Sequence, residues 1–437
     1  MREMKDSGVE WIGQIPKNWN VVPLKAYFSF GKGLPITKDN LTEQGIPVIS
    51  YGQIHAKWNS GVTTHPELMR FVSDSYLQTN PQSLVKKGDF IMADTSEDRD
   101  GCGNCAYVDT DEQLFAGYHT IILSAVNNTN NKYLAYLFLS DPWRSQIRKA
   151  VSGVKLFSIS RRILGKVSIL VPDNSEKIVT FLDEKCAKVD ALISNNHAQI
   201  EKLKTYKQSL ITEVVTKGLD PTVPMKDSGV EWIGEIPEHW GTPKISMLAT
   251  VSSGATPDRT YSEYWNGSIS WLKTGELQNN EIYESEEYIT EAGLKNSSAQ
   301  LYEPNTILVA MYGQGKTRGM TALLRIPSTT NQACAGIVVT SALISHEFLW
   351  KVLIGAYSGL RELAVGSGQP NLNQALIKNF RVPLPPIREQ QEICGFLDKQ
   401  MPQIDRLIAI KQAKIEKLEQ YKKSLIYEYV TGKREVI

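Results

Sequence analysis

The sequence predicts an α/β (α+β) fold in which two variable domains are separated by two long antiparallel coiled-coil helices, forming a pseudo-twofold symmetric tandem duplication. Three observations support this prediction. An opening segment near residue 4 returns near residue 225, and a helical closing segment that ends near residue 216 returns near residue 431. The middles between these ends have diverged almost beyond alignment. An internal repeat of this kind defines the architecture before local structure is considered.

The opening repeat is nearly identical in its two copies, and we call each copy a latch. Residues 4–19 read MKDSGVEWIGQIPKNW and residues 225–240 read MKDSGVEWIGEIPEHW, with differences only at Gln14/Glu235, Lys17/Glu238 and Asn18/His239. If a pseudo-twofold axis relates the halves, the first latch lies beside the end of the second helix, and the chain termini are neighbours. The predicted apolar anchors of the latches are Trp11, Ile12, Ile15 and Trp19, with their copies Trp232, Ile233, Ile236 and Trp240.

The closing repeat, residues 181–216 and 396–431, has the apolar spacing of a helix. Apolar residues recur in alternating steps of three and four, which is typical of a coiled-coil seam. About 30 residues of helix span roughly 45 Å at 1.5 Å per residue. Polar side chains interrupt the seam at Asn196, Lys207, Lys411 and Lys422, and Pro402 predicts a kink or a restart in the second helix. The predicted seam consists of Leu182, Val189, Ile193, Ile200, Leu203, Leu210, Leu397, Ile404, Ile408, Ile415, Leu418 and Leu425.

The diverged middles predict mixed α/β structure, because short β-rich runs alternate with loops rich in Gly, Asn and Pro. The strand frame is shared: IPVISYGQI aligns with ISWLKTGEL, and KKGDFIMADTSED aligns with EPNTILVAMYGQG. A helical stretch near 131–150 has a counterpart at 345–365. The predicted segments are 1–19 (first latch), 20–172 (first variable domain), 173–218 (central coiled-coil helix), 219–240 (linker and second latch), 241–385 (second variable domain) and 386–437 (C-terminal coiled-coil helix).

Composition narrows the class of protein. A chain of 437 residues suits two or three domains. The sequence lacks the roughly 18 consecutive apolar residues of a membrane span and the apolar core of a signal peptide, so we expect a cytoplasmic protein without a membrane partner. Five cysteines, scattered mostly through apolar segments, predict reduced thiols. The net charge is only +1, so a nucleic-acid surface would have to be local.

At this point the residues resemble a known family. Two variable domains, each opened by D-S-G-V-E-W-I-G-x-I-P and closed by F-L-D…I-E-K-L…S-L-I-x-E, are similar to the specificity subunit of type I restriction-modification systems. The resemblance covers essentially the whole chain, and in the second half it includes GATPDRTYSEYWNGSISWLKTGEL, AMYGQGKTRG and PNLNQALIKNFRVPLPPIREQQEI. In the first half, the segment GKGLPITKDNLTEQGIPVISYGQIH resembles a common variant of the family's sequence pattern. The segment LVPDNSEKIVTFLD departs from the Pro-Pro…Glu-Gln pattern at 385–391, which leaves the start of the first helix open.

The resemblance implies a non-catalytic reader of double-stranded DNA. Each variable domain would be a target-recognition domain for one half of a bipartite asymmetric site, and the paired helices would set the spacing. Two modification (methyltransferase) subunits would dock on the helices and methylate adenine N6 with S-adenosylmethionine. Restriction/translocase subunits would add translocation and cleavage that depend on ATP and Mg.

Several polar side chains on the predicted loops could read DNA. Arg, Lys, Ser, Thr and Asn suit phosphates, and Gln, Asn, Arg, Lys and Glu suit base edges. The candidates in the first domain are Lys32, Lys38, Tyr51, Gln53, His55, Lys57, Arg99, Asn104, Lys155, Arg161 and Arg162. The candidates in the second domain are Thr256, Arg259, Tyr261, Lys273, Glu276, Gln278, Gln314, Lys316, Arg318, Gln369 and Asn371.

The segment AMYGQGKT at 310–317 satisfies a relaxed phosphate-loop pattern. Such a loop needs a following helix whose N-terminus faces the phosphates, whereas the next residues, RGMTALLRIP, read as a strand. We therefore interpret the segment as a Gly-rich loop that approaches DNA. No catalytic or metal-ligating residue is predicted.

Three further motifs have structural interpretations. Cys102 and Cys105 have the spacing of a zinc or redox pair, but the missing second pair favours a tight Gly-rich turn. DPW at 141–143 predicts a helix N-cap at Asp141 before Pro142. His119, at a predicted strand start, is expected to be structural or to face DNA.

Two other function classes stay open at the level of sequence. One is an adaptor whose coiled coil joins protein partners and whose variable domains bind protein. Salt-dependent binding of duplex DNA separates this class from a DNA reader. The other class is a self-contained NTPase built on residues 310–317.

Overall fold

The computed structural model describes residues 3–10, 12–126, 131–153, 155–313, 315–364 and 371–436. The chain forms two compact units. The first comprises Met1–Asn196 and Ala413–Ile437, and the second comprises His197–Gln412. Each unit therefore contains part of both long helices: residues 175–196 and 413–430 lie in the first unit, and residues 197–217 and 387–412 lie in the second.

The first unit is a mixed α/β body. Its strands are β1 (Met4–Asp6), β2 (Gln14–Pro16), β3 (Asn20–Pro23), β4 (Phe28–Lys32), β5 (Ile46–Ile49), β6 (Arg70–Val72), β7 (Leu84–Val85), β8 (Phe90–Ala93), β9 (Thr95–Ser96), β10 (Cys105–Tyr107), β11 (Leu114–Ala116), β12 (Thr120–Ala125), β13 (Phe157–Ser158) and β14 (Ser168–Val171). Its helices are α1 (Leu24–Tyr27), α2 (Tyr51–Ile54), α3 (Tyr76–Thr79), α4 (Lys132–Leu139), α5 (Asp141–Ala150), α6 (Arg161–Leu164) and the first half of α7 (Ser175–Lys217).

The second unit repeats this plan with fewer small elements. Its strands are β15 (Met225–Asp227), β16 (Glu235–Pro237), β17 (Ala249–Ser253), β18 (Trp265–Leu272), β19 (Asn280–Ile282), β20 (Glu287–Ile289), β21 (Ile307–Ala310), β22 (Thr321–Leu324), β23 (Ser328–Thr330) and β24 (Cys334–Val339). Its helices are α8 (Glu291–Lys295), α9 (His346–Gly355), α10 (Tyr357–Glu362), α11 (Gln374–Asn379) and the first part of α12 (Ile387–Val430).

Sheet topology shows that the two units are equivalent. The main sheet has the order β10-β8-β12-β4 in the first unit and β19-β22-β21-β24-β17 in the second. The second sheet has the order β6-β5-β11-β7 in the first unit and β20-β18-β23 in the second. In the second sheet of each unit one pair is parallel, β5 with β11 and β18 with β23. The two predicted sequence alignments between the variable domains are confirmed. β5 of IPVISYGQI corresponds to β18 of ISWLKTGEL, and β8 of KKGDFIMADTSED corresponds to β21 of EPNTILVAMYGQG.

Central strands are buried on both faces, which explains their continuous apolar runs. Along β8, Phe90 and Met92 pack into one core cluster, while Ile91 and Ala93 pack into another. Along β21, Ile307 and Val309 lie in one cluster, and the alternate residues lie in another. Side chains alternate across a strand, so a strand that separates two cores must be apolar at every position.

In both units the two long helices run antiparallel. In the first unit Phe181 contacts Tyr429, with ring centroids 4.4 Å apart, and Lys422 Nζ lies 2.7 Å from Asp190 Oδ2. In the second unit Lys207 Nζ lies 2.6 Å from Asp405 Oδ1, and Lys411 bonds to Gln199. The lysine interruptions of the seam, Lys207, Lys411 and Lys422, are therefore positions of cross-helix pairing.

The predicted seam residues lie between these helices. Leu182, Val189, Ile200, Leu397, Ile404, Ile415 and Leu425 are buried, and Ile193, Leu203, Leu210, Ile408 and Leu418 are half-buried. Asn196, a polar seam position, is also buried, and its Nδ2 donates to Leu192 O of its own helix at 2.7 Å.

The predicted restart at Pro402 was wrong. α12 is one helix from Ile387 to Val430 with Pro402 inside it. Proline removes one helical hydrogen bond at a cost of about 3 kcal/mol, but Met401 and Ile404 on either side are buried in the core of the second unit. Their packing holds the helix together, and the proline faces solvent. The kink stays a prediction.

The latches pack as predicted. Ile12, Ile15 and Trp19 share a core cluster with Tyr429 and Val430 at the end of α12. Lys433 Nζ donates to Ile12 O at 3.0 Å. In the second unit Ile233, Ile236 and Trp240 share a cluster with the end of α7, at Ile211, Val214 and Val215. The first latch and the C-terminal residues are thus neighbours, while Trp11 lies outside the described residues.

Gly432 shows how closely the chain ends approach. It has φ +68°, and an added Cβ would lie 2.4 Å from Pro16 Cδ. Pro16 pairs with Met4 in the β1–β2 ladder. A side chain at this position would be strained by the positive φ and would collide with Pro16, so only glycine fits.

The cysteines are buried free thiols. Cys102, Cys105, Cys186, Cys334 and Cys394 are all buried and unpaired by disulfides. Cys102 lies in the predicted tight turn, where Gly103 has φ 90°. Burial raises the pKa of Cys105, Cys334 and Cys394 to about 12. Among the described residues, no group of three or more His, Cys, Asp and Glu side chains could hold a metal ion.

We predict that Trp19→Ala and Trp240→Ala each loosen the unit that contains them. Both side chains are 1% exposed, and replacing a buried Trp by Ala costs about 3–5 kcal/mol. Hydrogen exchange of the intact chain should show lost protection in the same unit. Trp58→Ala is the matched control, because Trp58 is 61% exposed. Wild-type protection in Trp19→Ala would contradict the anchoring role.

We also predict that the native thiols resist labelling at pH 8. A thiol with a pKa of about 12 is ionised in roughly one molecule in 10,000 at that pH. Ellman's reagent should react slowly with the native chain, and in denaturant it should titrate all 5 cysteines. Rapid stoichiometric labelling of the native chain would show that the thiols are accessible.

Candidate nucleic-acid interface

In the first unit, three backbone hydrogen bonds bring several loops together at one end of the main sheet. Gly33 N donates to Thr120 O at 3.2 Å, and Asp94 N donates to His119 O at 3.0 Å. Ile159 N then donates to Asp94 O at 2.7 Å. These bonds join the loops that follow β4 and β8 to the loop before β12 and to the segment before α6. We call this region, residues 33–38, 50–57, 94–104, 117–119 and 155–162, the loop end of the first unit.

The second unit has the same three bonds at equivalent positions. Gly254 N donates to Cys334 O at 3.4 Å, and Met311 N donates to Ala333 O at 2.8 Å. Leu372 N donates to Met311 O at 3.0 Å. The loop end of the second unit is accordingly residues 254–261, 273–278, 311–313, 315–319, 331–333 and 371–374. The backbone frame is shared although the loop sequences are not.

One glycine in each unit is required by this frame. An added Cβ on Gly33 would lie 1.9 Å from Gly117 O, and one on Gly254 would lie 2.0 Å from Thr330 O. No side chain fits at such distances, so the close approach of the strand to the neighbouring loop needs glycine.

The predicted residues Tyr51, His55 and Asn104 come together at the first loop end. His55 Nε2 lies 3.0 Å from Thr95 O, and Asn104 Nδ2 lies 3.1 Å from His55 Nδ1. Asn104 must donate with its amide nitrogen, so Nδ1 accepts and Nε2 carries the proton that Thr95 O receives. The Tyr51 ring lies 5.4 Å from the His119 ring. His55 and Asn104 are therefore hydrogen-bonded to each other, Tyr51 adjoins them through ring contacts, and all three side chains are half-exposed.

His119 has a backbone conformation rare outside glycine, with φ 55°. Its Nδ1 lies 3.4 Å from Asp94 Oδ1, and its side chain is 61% exposed. The peptide group of the same residue supplies one bond of the loop frame, so His119 is structural in its backbone while its ring faces solvent.

The cationic candidates of the first unit lie on segments that form or adjoin this loop end. Arg99 lies over the Phe157 ring at 5.6 Å from its centroid. Arg161 and Arg162 begin α6, whose N-cap Ser160 accepts a hydrogen bond from Ile163 N. Exposed lysines at the remaining predicted positions are Lys32, Lys38, Lys57 and Lys155.

Gln53 and Glu276 occupy equivalent positions and are both engaged with backbone. Gln53 Oε1 accepts from Ser50 N at 3.1 Å, and Glu276 Oε1 accepts from Lys273 N at 2.8 Å. Each side chain closes the first turn of a short helix that follows the parallel strand. In the first unit, Ser50 three residues before Gln53 is a capping-box signal that could have found this role, whereas Lys273 before Glu276 does not give that signal.

In the second unit Arg259 and Lys273 share a carboxylate. Arg259 Nη1 lies 2.7 Å from Glu287 Oε2, and Lys273 Nζ lies 2.9 Å from Glu287 Oε1. Lys273 also contacts Glu286 at 3.1 Å. The hydrogen bond from Arg259 is the main cause that lowers the pKa of Glu287. Hydrogen bonding to Glu287 and Glu286 raises the pKa of Lys273, so the network is fully charged at neutral pH.

The other candidates of the second unit lie on neighbouring loops. Thr256 Oγ1 donates to Gln332 Oε1 at 2.6 Å, and the Tyr261 ring lies 5.1 Å from the Tyr264 ring. Gln278 Nε2 donates to Gly275 O at 3.2 Å. Asn371 precedes Leu372 of the loop frame. Gln332 was missed by sequence reasoning, which offered no signal for it.

The Gly-rich segment at 310–317 leads into a strand, as predicted. β22 begins at Thr321, and the intervening loop is bound through its carbonyls to α10. Tyr357 Oη donates to Lys316 O at 2.7 Å, and Arg361 Nη1 donates to Arg318 O at 2.9 Å. A phosphate-binding helix N-terminus does not follow the loop. The predicted residues Gln314 and Gln369 lie outside the described residues.

The predicted cap at DPW was displaced by one residue. The N-cap of α5 is Ser140, and Asp141 is the first helical residue, with Pro142 in the first turn. Ser140 has extended backbone angles, whereas Asp141 already has helical geometry, so the preceding serine marks the boundary. Asp141 instead bonds Arg148 Nη1 at 3.1 Å. The carboxylate still lies at the positive end of the helix dipole.

No helix in the described part of the chain is long and apolar enough to cross a membrane.

Comparisons with known proteins agree with this architecture. The family model described as type I restriction modification DNA specificity domain matches residues 16–204 and again residues 237–420. The type I restriction enzyme MjaVIII specificity subunit of Methanocaldococcus jannaschii is 24% identical over 436 residues, which cover 96% of this chain and 94% of that protein.

Two solved structures share the fold. One, titled "Structural basis underlying complex assembly and conformational transition of the type I R-M system", has a TM-score of 0.71 at 15% identity, covering 95% of this chain and 98% of the other. The HsdS subunit of Thermoanaerobacter tengcongensis has a TM-score of 0.50 at 15% identity, covering 96% and 98%. With both family matches spanning most of the sequence, the chain belongs to the type I restriction modification DNA specificity family and carries two such domains in tandem.

Proposed function

We propose that this chain is the DNA-specificity subunit of a type I restriction-modification complex. The loop end of each unit reads one half of a bipartite asymmetric site. The observation that carries the proposal is the repeated loop frame: three equivalent backbone bonds hold loops whose side chains differ between the units. A constant frame with variable loops suits two readers of different sequences. The readers correspond to residues 20–172 and 241–385.

The side chains at the loop ends suit duplex DNA. Exposed lysines and arginines at these positions would neutralise phosphates, and the amide, imidazole and guanidinium groups would contact base edges. Because the net charge of the chain is only +1, the whole protein would attract DNA weakly. Binding of DNA would therefore depend on the local positive charge at the loop ends. The proposal also explains why the latches kept their sequence while the loops diverged, since a shared scaffold can serve two targets.

In this proposal the chain contributes no catalytic residue. Methylation of adenine N6 would take place on modification subunits that bind S-adenosylmethionine. Restriction/translocase subunits would use ATP and Mg²⁺. The loop at 310–317 supports this division, because it is held between strands and is not followed by a helix that could cradle phosphates.

The surface on which modification subunits would dock is suggested by the long helices. Leu192 and Leu407 occupy equivalent repeat positions and are 45% and 48% exposed. Tyr206 and Tyr421 are likewise equivalent and are 56% and 54% exposed. Two heptads separate the leucine from the tyrosine on each helix, so they share a helix face. Large apolar side chains that stay exposed in both copies favour two sites for the same partner.

We predict that exchanging residues 20–172 for those of a relative changes one block of the recognised sequence and leaves the other unchanged. The measurement is co-expression with the cognate modification subunit in a methylation-free host, followed by mapping of N6-methyladenine. The wild type should give two short specified blocks with a fixed unspecified spacer. An intact, cofactor-competent complex that methylates no such site would favour the adaptor function instead.

We predict that the double variant Leu192→Ala/Tyr421→Ala weakens binding of one modification subunit about tenfold or more, as expected when interface anchors are truncated. Asp190 pairs with Lys422, so the two positions lie at the same level along the helix pair of the first unit. Native mass spectrometry should show complexes with one modification subunit in place of two. Glu184→Ala, exposed on the same helix, is the control. Unchanged stoichiometry and affinity would exclude this surface.

A further inference from the structure

Arg259 is held far more firmly than an ordinary surface arginine. Its guanidinium carbon lies 3.9 Å from the centroid of the Trp265 ring and 5.1 Å from that of Trp271. Its Nη1 pairs with Glu287 Oε2 at 2.7 Å. A stacking contact and an ion pair from two directions fix the plane of the guanidinium group.

The supports of Arg259 are themselves fixed. Trp265 meets Trp271 edge to face, at 5.0 Å and 88°. Trp271 is 2% exposed, and its Nε1 donates to Ala255 O at 2.9 Å. Glu287 lies directly opposite Trp271 in the β18–β20 ladder. The arginine therefore stands on a platform that belongs to the sheet and to the loop frame of the second unit.

The guanidinium group also reaches solvent. The Arg259 side chain is 54% exposed, whereas Glu287 beneath it is 28% exposed. A guanidinium carries five N–H donors in a rigid plane, and Glu287 engages one terminal nitrogen. Lys273 pairs with Glu287 at 2.9 Å and with Glu286 at 3.1 Å, so the two cations and two carboxylates of this cluster balance in charge. The donors of Arg259 that Glu287 leaves free form a planar, partly exposed group at the loop end.

This position has a counterpart in the first unit. Arg259 is the fifth residue after Gly254, and Lys38 is the fifth residue after Gly33. Both glycines belong to the repeated loop frame. Lys38 is exposed on a one-turn helix, Lys38–Asn40, and a lysine offers a point charge in place of a planar fork. Counted from the glycine of the loop frame, the two units thus carry cations of different geometry at the same sequence position.

We propose that Arg259 is a specificity-determining residue that reads a guanine in the half-site bound by the second unit, donating two parallel hydrogen bonds to guanine O6 and N7 in the major groove. The inference rests on the proposed function and names one base of the target. A planar donor fixed in advance suits the paired acceptors of guanine. A phosphate offers the same acceptor chemistry and is the competing ligand, but it carries no sequence information.

The test uses the complete complex with its modification subunit on a library of duplexes with randomised half-sites, scored by sequencing the methylated products. Exchange of residues 241–385 identifies the DNA block that the second unit reads, because that block changes with the domain. In the wild type, this block should contain a guanine on one strand. Arg259→Ala and Arg259→Lys should both lower the preference for guanine at that single position, about tenfold or more for Arg259→Ala. The other positions and the first block should keep their preferences.

Arg259→Lys keeps the positive charge but loses the planar pair of donors, so it distinguishes base reading from a phosphate contact. It also keeps the inference testable if Arg259→Ala fails to fold. Lys38→Ala is the matched control and should leave the second block unchanged. A second block without any G·C pair would overturn the inference. So would a fall in methylation that is uniform across sequences, or unaltered preferences in both Arg259 variants. A wild-type complex without any bipartite site would instead overturn the proposed function.

Discussion

The antiparallel pairing of helix segments far apart in the sequence is the constraint on which the rest of the structure depends. The first unit is complete only when residues 413–437 pack against its own helix and latch. Trp19, Tyr133 and Leu425 then share one core, and Tyr133 Oη donates to Val430 O at 2.7 Å. The second unit closes in the same way with the end of α7 against its own latch. This pairing explains why the latch and helix sequences stayed alike while the middles diverged.

The polar residues of the helix seam follow from the same constraint. The ion pair Asp190–Lys422 in the first unit corresponds to Asp405–Lys207 in the second, with the contributing repeats exchanged. Such half-exposed pairs add little stability, but a register shift would break both and would leave charges beside an apolar seam. Polar seam positions of this kind select register and orientation more than they stabilise the pair.

Divergence of the loops is possible because backbone atoms carry the frame of each loop end. Carbonyl and amide groups of Thr120, His119 and Asp94 in one unit, and of Cys334, Ala333 and Met311 in the other, make equivalent bonds whatever side chains they bear. The side chains are then free to differ, and they do so in chemistry. The first unit presents a hydrogen-bonded His–Asn pair beside a tyrosine ring, whereas the second presents an arginine stacked on tryptophan.

The sequence by itself determined the duplication, the two long helices, the shared strand frame and the nature of the Gly-rich loop, because repeats, heptads and apolar runs are local signals. Tertiary structure decided what individual polar side chains do. Gln53 and Glu276 close short helices, Ser140 precedes Asp141 as a cap, and α12 continues through Pro402. The platform of Trp265, Trp271 and Glu287 under Arg259 joins residues from separate strands. This platform depends on neighbours brought together by the sheet, which spacing along the chain does not reveal, whereas a cap such as Ser50 with Gln53 is a local signal that spacing could have shown.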